Sequence, residues 1–259
     1  LILRGVAPGD AARAALADAA APAGAPPAGA NPAGANPARP GPGHGAGGQR
    51  VALPGASATA RGLARAALAL DDTLMGEIIQ AALDRDGVIR TWEDLLVPVL
   101  TGIGARYEHS GECVEAEHLL SAVILAALAG IRPAQPGRPD HRAVLLACAP
   151  GEQHSLPLYA LAAALAERGV GARVLGADLP YRSLAAAVRR TGPAAVFLWS
   201  QVPASGNARA LPDLRPRRPG ARLVLGGAGW PRTALPEGAR LVETLPGAVA
   251  EVLAALGRN

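Results

Sequence analysis

The chain has 259 residues, a formal net charge of +4, 18% charged residues and 3% aromatic residues. Its hydrophobic class reaches 50%, but much of that is Ala, which buries little area, so a core must come from Leu, Val and Ile. Two cysteines exclude a disulfide scaffold and a Cys-based zinc site, no apolar run reaches the ~20 residues of a bilayer span, and the 25 basic residues, all Arg, point by themselves to no nucleic acid.

In chain order, residues 1–16 carry a short apolar-periodic piece: Ile2, Leu3 and Val6, then Pro8 in the place of a helix first turn, then Ala11, Ala12, Ala15 and Leu16. Residues 17–56 are expected to be a disordered Ala/Pro/Gly linker. From Ala17 to Arg50 there is no Val, Ile, Leu, Met, Phe, Trp or Tyr, and such a segment cannot offset its ordering entropy. Residues 57–130 predict a four-helix bundle. Ser57 caps the first helix, and Asp71 or Asp72 the second, with Leu74, Ile78, Ile79, Ala82 and Leu83 on one face and a stop at Gly87. Thr91 caps the third, in which Trp92, Leu95, Leu96, Val99, Leu100, Ile103 and Tyr107 recur at three and four, and Pro98 is expected to kink it. Gly111 breaks the chain, and a fourth helix runs from about Cys113 to Ala129.

A second Pro/Gly linker is expected at 131–141. Residues 142–259 then alternate short apolar runs with helical patterns: strands near Ala143–Ala147, Arg173–Leu175, Ala195–Trp199, Arg222–Leu225 and Leu241–Glu243. This alternation predicts a doubly wound parallel sheet, which binds its ligands beyond the carboxyl ends of its strands.

Three features could carry chemistry. His154 stands in the loop after the first strand, two residues beyond Glu152, which can orient the imidazole for a metal. Gly226 and Gly227 end the fourth strand, where missing side chains let a ligand approach the backbone. Glu117-His118 lies on the fourth bundle helix, within reach of Tyr107 on the helix before it. Taken singly, these read equally as a solvated loop histidine, an ordinary turn and a surface pair. The first strand is followed by Ala-Pro-Gly-Glu-Gln-His and has no dinucleotide fingerprint. Arg215, Arg217 and Arg218 have no aromatic neighbours for base stacking and read as a solvated loop.

Together, residues 58–257 resemble the cobalamin-binding module of light-responsive MerR-type transcriptional regulators. The resemblance rests on Glu152-Gln153-His154-Ser155-Leu156-Pro157, then Ser200, then Gly226-Gly227, and on Tyr107, nine residues, Glu117-His118. Pro157 stands where the family motif has glycine, and Tyr107 where it has tryptophan. The phrase Val174-Leu175-Gly176-Ala177-Asp178-Leu179-Pro180 is also similar to the family. The resemblance implies a four-helix bundle followed by a Rossmann-like, flavodoxin-like cobalamin-binding domain. It implies adenosylcobalamin as cofactor, with His154 as lower ligand to cobalt and His118 as a second ligand once the upper position is vacated. Ser200, Gly226 and Gly227 would line a cleft for the displaced nucleotide tail, and Tyr107, Glu117 and His118 would face the adenosyl group. Residues 1–16 resemble the end of a MerR-type helix-turn-helix domain, so DNA would be bound by a part mostly absent from this chain. The chain is thus expected to be a cytoplasmic, homo-oligomeric (dimer or tetramer) sensor with no membrane contact, not an enzyme. A corrinoid carrier or methyltransferase subunit, and a degenerate regulator that no longer binds cobalamin, are the alternatives.

Overall fold

The structure, a computed structural model, describes residues 53, 55–110, 112–133, 144–214, 221–233 and 235–258. The helix-turn-helix remnant expected at 1–16, most of the linker at 17–56, most of that at 131–141 and the Arg215–Arg218 loop lie outside the described residues.

Four helices come first: α1 (Ala58–Leu68), α2 (Asp72–Arg90), α3 (Val97–Ser110) and α4 (Val114–Gly130). Ser57 Oγ accepts the Ala60 N–H at 3.1 Å and Asp71 Oδ1 the Leu74 N–H at 2.9 Å, so both N-terminal caps form as the sequence suggests. The buried face of α2 is Met75, Ile79, Ala82, Leu83 and Val88, while Leu74, expected on that face, is 42% exposed. As the cap donor stage of the helix, the first turn points Leu74 away from the core. Gly87 breaks α2 with φ 73° and ψ 175°, but the helix resumes at once rather than stopping.

Thr91 is not a cap. It opens a π turn, Thr91–Leu96, that joins α2 to α3 without a loop. The turn hands the Val97 N–H to the Trp92 carbonyl, five residues back. The wider spacing accommodates Pro98, which has no N–H to give and would crowd the carbonyl four residues back. Cys113, with φ 74°, starts α4 from a left-handed conformation.

The second half is a five-stranded parallel sheet, β1 (Val144–Cys148), β2 (Ala172–Gly176), β3 (Ala195–Trp199), β4 (Arg222–Gly226) and β5 (Arg240–Val242), in the order β2-β1-β3-β4-β5. The helices between and after them are α5 (Leu156–Ala166), α6 (Tyr181–Thr191) and α7 (Leu245–Ala255), with a 3-10 turn at Ala208–Leu214. This is the doubly wound, flavodoxin-like arrangement expected. One face packs Val144, Leu146, Cys148, Phe197 and Val224 under α5 and α7; the other packs Leu145, Ala147, Val196 and Leu198 under α6.

Helix α5 explains why the two halves share one core. Its sequence, Leu-Pro-Leu-Tyr-Ala-Leu-Ala-Ala-Ala-Leu-Ala, is apolar on every side. Such a helix must be covered all round. It packs on β1 and β2 below, on α7 beside it, and on α2 and α4 above. Both halves lie in one compact unit, Val51–Asn259. The carboxyl edge of the sheet, where the loops after β1, β3 and β4 meet, is therefore held against the bundle by a helix that starts at that same edge.

Candidate functional site

β1 ends at Cys148, and the chain turns through Gly151, whose φ is 79°. The turn after β2 grips this loop from the side. The Gly151 N–H donates to Asp178 Oδ1 at 2.6 Å, and the Asp178 N–H donates to the Glu152 carbonyl at 2.8 Å. Pro157 sits in the first turn of α5, where a missing N–H leaves no helical bond unmade.

Glu152 is the centre of the loop, and its side chain is fully buried. Oε1 accepts the backbone N–H of His154 at 2.9 Å and faces its ring Nδ1 at 2.5 Å. Oε2 accepts the Gln201 N–H at 2.6 Å, the Ser205 hydroxyl at 2.9 Å and the Val202 N–H at 3.3 Å. Burial pushes the carboxyl pKa up, but the hydrogen bonds from the His154 side chain and backbone and from Gln201 outweigh it and hold the group at about 2. Glu152 is thus ionised and can only accept, so Nδ1 carries the imidazole proton and Nε2 keeps a lone pair. The ring remains 25% exposed and could hold a metal from the open side. Burial and the Glu152 charge push the neighbouring Cys148 thiol up to about 12. Among the described residues, no three His, Cys, Asp or Glu side chains cluster as a metal site of their own.

Ser200, just past β3, is fully buried and close to Ser205, hydroxyl to hydroxyl, at 2.8 Å. Since Ser205 donates to the charged Glu152, the Ser200 proton turns to Ser205 or to the Val202 carbonyl at 3.2 Å. A chain of hydrogen bonds therefore links the loops after β1 and β3. Gly226 and Gly227 lie alongside. A Cβ on Gly227 would meet the Ser200 carbonyl, and Gly227 has φ 97°. A Cβ on Gly226 would lie 2.5 Å from Phe197 Cζ and 3.2 Å from Trp199 Cε3. The two rings are stacked with centroids 6.4 Å apart. The indole nitrogen of Trp199 is buried and has no hydrogen-bond partner among the described residues.

Tyr107 lies near the end of α3, half-buried, and Glu117 and His118 lie in the first turns of α4, half-buried and exposed respectively. They stand on the bundle, and the Glu152 network belongs to the sheet. The link between the groups is α4 packing on α5, the helix that follows His154. The sequence reading did not single out Trp199, Ser205 or Asp178 for the site. Asp178 had a signal, the family-like phrase that ends on it.

Residues 59–131 match the family model described as B12 binding domain. This chain contains a B12 binding domain. It covers the four helices, including Tyr107, Glu117 and His118; His154 and the glycines lie beyond it. Over 150 residues the chain is 31% identical to the HTH-type transcriptional repressor CarH of Myxococcus xanthus. That stretch is 58% of this chain and 50% of the repressor, so the match spans about half the repressor's length. The monomethylamine corrinoid protein of Methanosarcina barkeri is 16% identical, with a TM-score of 0.56 over 74% of this chain and 95% of that one, a likeness of fold. A B12 binding domain joined to a Rossmann-like sheet, related to a transcriptional regulator, is what the sequence resemblance implies.

Proposed function

We propose that the chain is the cobalamin-binding sensory module of a cytoplasmic transcriptional regulator, with adenosylcobalamin held between the helical bundle and the sheet. When bound, the cofactor supplies a cobalt that takes a histidine ligand and a cobalt–carbon bond that light cleaves. His154 offers Nε2 as the lower ligand, and Glu152 fixes its tautomer and ring orientation. Ser200, Gly226 and Gly227 border the cleft for the displaced nucleotide tail. Tyr107, Glu117 and His118 cover the upper side, and His118 takes the upper position once it is vacated. The bundle and the sheet then shift about α5, a two-state contact biased by the upper ligand. That contact sets the homo-oligomeric state and, through a helix-turn-helix domain whose end is residues 1–16, the affinity for DNA. In this reading the chain is a sensor and not an enzyme, with 17–56 and 131–141 as linkers between its parts.

The observation that carries the reading is the buried, ionised Glu152 at 2.5 Å from His154 Nδ1. A carboxylate held this firmly against one ring nitrogen readies the other for a metal. The B12 binding domain match and the orphaned indole beside two glycines fit the same group.

The test is to add adenosylcobalamin to the chain in the dark, pass it through gel filtration, and record spectra before and after illumination. Retention is expected, with a histidine-ligated spectrum that His154→Ala abolishes and that light changes. No retention, or a spectrum indifferent to His154→Ala, would sink the lower-ligand assignment. Methyl transfer from methylcobalamin-loaded chain to an acceptor thiol would favour a corrinoid carrier instead.

A further inference from the structure

The register of the parallel sheet places Cys148, Trp199, Gly226 and Val242 side by side across four strands at its carboxyl edge. Register partners in a parallel sheet point to the same face, here the face under α5 and α7. Gly226 leaves a notch in this row. The Trp199 indole leans over it, 3.2 Å from where a Gly226 Cβ would stand and 3.3 Å from where a Gly227 Cβ would stand. A buried indole N–H normally finds an acceptor, and leaving it without one is costly. The other indole of this edge obeys that rule: Trp230 Nε1 donates to the Gly226 carbonyl at 3.0 Å. Trp199 Nε1 does not. Meanwhile the hydroxyl nearest the notch, that of Ser200, is already committed to Ser205 and Val202.

We infer that the Trp199 indole N–H is the hydrogen-bond donor to the nucleotide tail of the corrinoid, in a cleft floored by Gly226 and Gly227, and that it makes the chain select corrinoids that carry a tail. The inference rests on the proposed cobalamin-binding function. The ligand supplies the acceptor that the protein lacks. Trp199 is a specificity-determining residue here, and Ser200 serves Glu152 rather than the ligand.

The experiment compares adenosylcobalamin with adenosylcobinamide, which has no nucleotide tail, in the dark, by absorbance titration of the whole chain and of Trp199→Phe. The substitution should weaken adenosylcobalamin about tenfold, the scale of one buried hydrogen bond, and leave adenosylcobinamide unchanged. Without ligand, Trp199→Phe should melt at the same temperature or higher, since it removes an unpaired donor. A second readout does not depend on the variant's affinity. The indole N–H cross-peak of Trp199, assigned by its absence from the variant, should move with adenosylcobalamin and stay in place with adenosylcobinamide. Equal loss of both ligands, an unchanged adenosylcobalamin affinity, or a cross-peak indifferent to the tail overturns the inference while leaving cobalamin binding intact. Failure of the unsubstituted chain to bind either corrinoid overturns the proposed function and this inference with it.

Discussion

Glu167, just past the end of α5 in the sheet half, accepts the backbone N–H of Val88 in the bundle at 2.9 Å through Oε1. Val88 follows Gly87, whose φ of 73° and ψ of 175° interrupt α2. Beyond such a break the N–H groups have no carbonyl four residues back. Glu167 therefore caps the resumed helix from 79 residues away in sequence, and the cap ties the two halves together. Glu167→Ala should cost about 0.5–2 kcal/mol, as loss of a capping side chain does, and Glu167→Gln, which keeps the acceptor, should cost less. Gly87→Ala should be worse than either, because that backbone region is open almost only to glycine. Thermal denaturation reads all three; a Glu167→Ala melt superimposable on the unsubstituted chain would mean the cap does not hold in solution.

The Glu152 carboxylate makes stability depend on pH in a set direction. Its folded pKa is about 2, below the ordinary 4.5. Folding therefore favours the ionised form. The contribution is full above pH 4.5, and is lost as pH falls towards 2. A shift of this size corresponds to roughly 3 kcal/mol at neutral pH. Urea unfolding at pH 7, 4 and 3 should show stability falling with acid, and Glu152→Gln should remove much of that slope. The variant should also be less stable at pH 7, since a Gln amide brings its own N–H groups towards those of Gln201 and Val202. Equal acid slopes in the two proteins would show that other carboxylates govern the transition.

How far the sequence discloses this molecule follows from where the information lies. The strands are legible because each is a short apolar run between helical patterns, and Ala195–Trp199 is readable residue for residue. The caps at Ser57 and Asp71 are legible because capping is local. Glu152 and His154 are legible as a pair because they are two residues apart. The partners of Glu152 are not: Gln201 and Ser205 come to it from about 50 residues on, and only the strand order brings those loops together. Gly226 is legible as an open position, but not what fills the opening, since Phe197 and Trp199 read as ordinary strand aromatics. Thr91 is the instructive error. Its type and place suit a cap, but the demand of Pro98 for a wider turn decides the local backbone instead.

That error has a measurable consequence. Thr91 is 1% exposed, and its hydroxyl finds no partner among the described residues. Burying an unpaired hydroxyl costs on the order of 1–3 kcal/mol. Thr91→Val keeps the branched shape and replaces the hydroxyl with a methyl. The substitution should therefore raise the melting temperature, by a few degrees for about 1 kcal/mol. Thr91→Ser, which keeps the hydroxyl and loses the methyl, should lower it. A destabilised Thr91→Val would show that the hydroxyl does find an acceptor within the bundle.

Gly226 should be intolerant of side chains because of the protein's own aromatics, before any ligand is considered. A Cβ there would stand 2.5 Å from Phe197 Cζ and 2.8 Å from Cε2. Phe197 is 2% exposed and cannot swing aside. Gly226→Ala should thus cost about 1–3 kcal/mol, the usual penalty for overpacking a core. The clash is with a side chain rather than backbone, so it should be relieved by Phe197→Leu. The double variant should be more stable than the sum of its single effects allows, by at least 0.5 kcal/mol, the coupling typical of residues in contact. Gly227→Ala offers the contrast. Its obstacle is the Ser200 carbonyl and its own φ of 97°, neither of which Phe197→Leu touches, so no rescue is expected there. Denaturant unfolding of the single and double variants measures both couplings. Additive losses at Gly226 would mean that the aromatic pair does not occupy the notch in solution, and would free that space for something else.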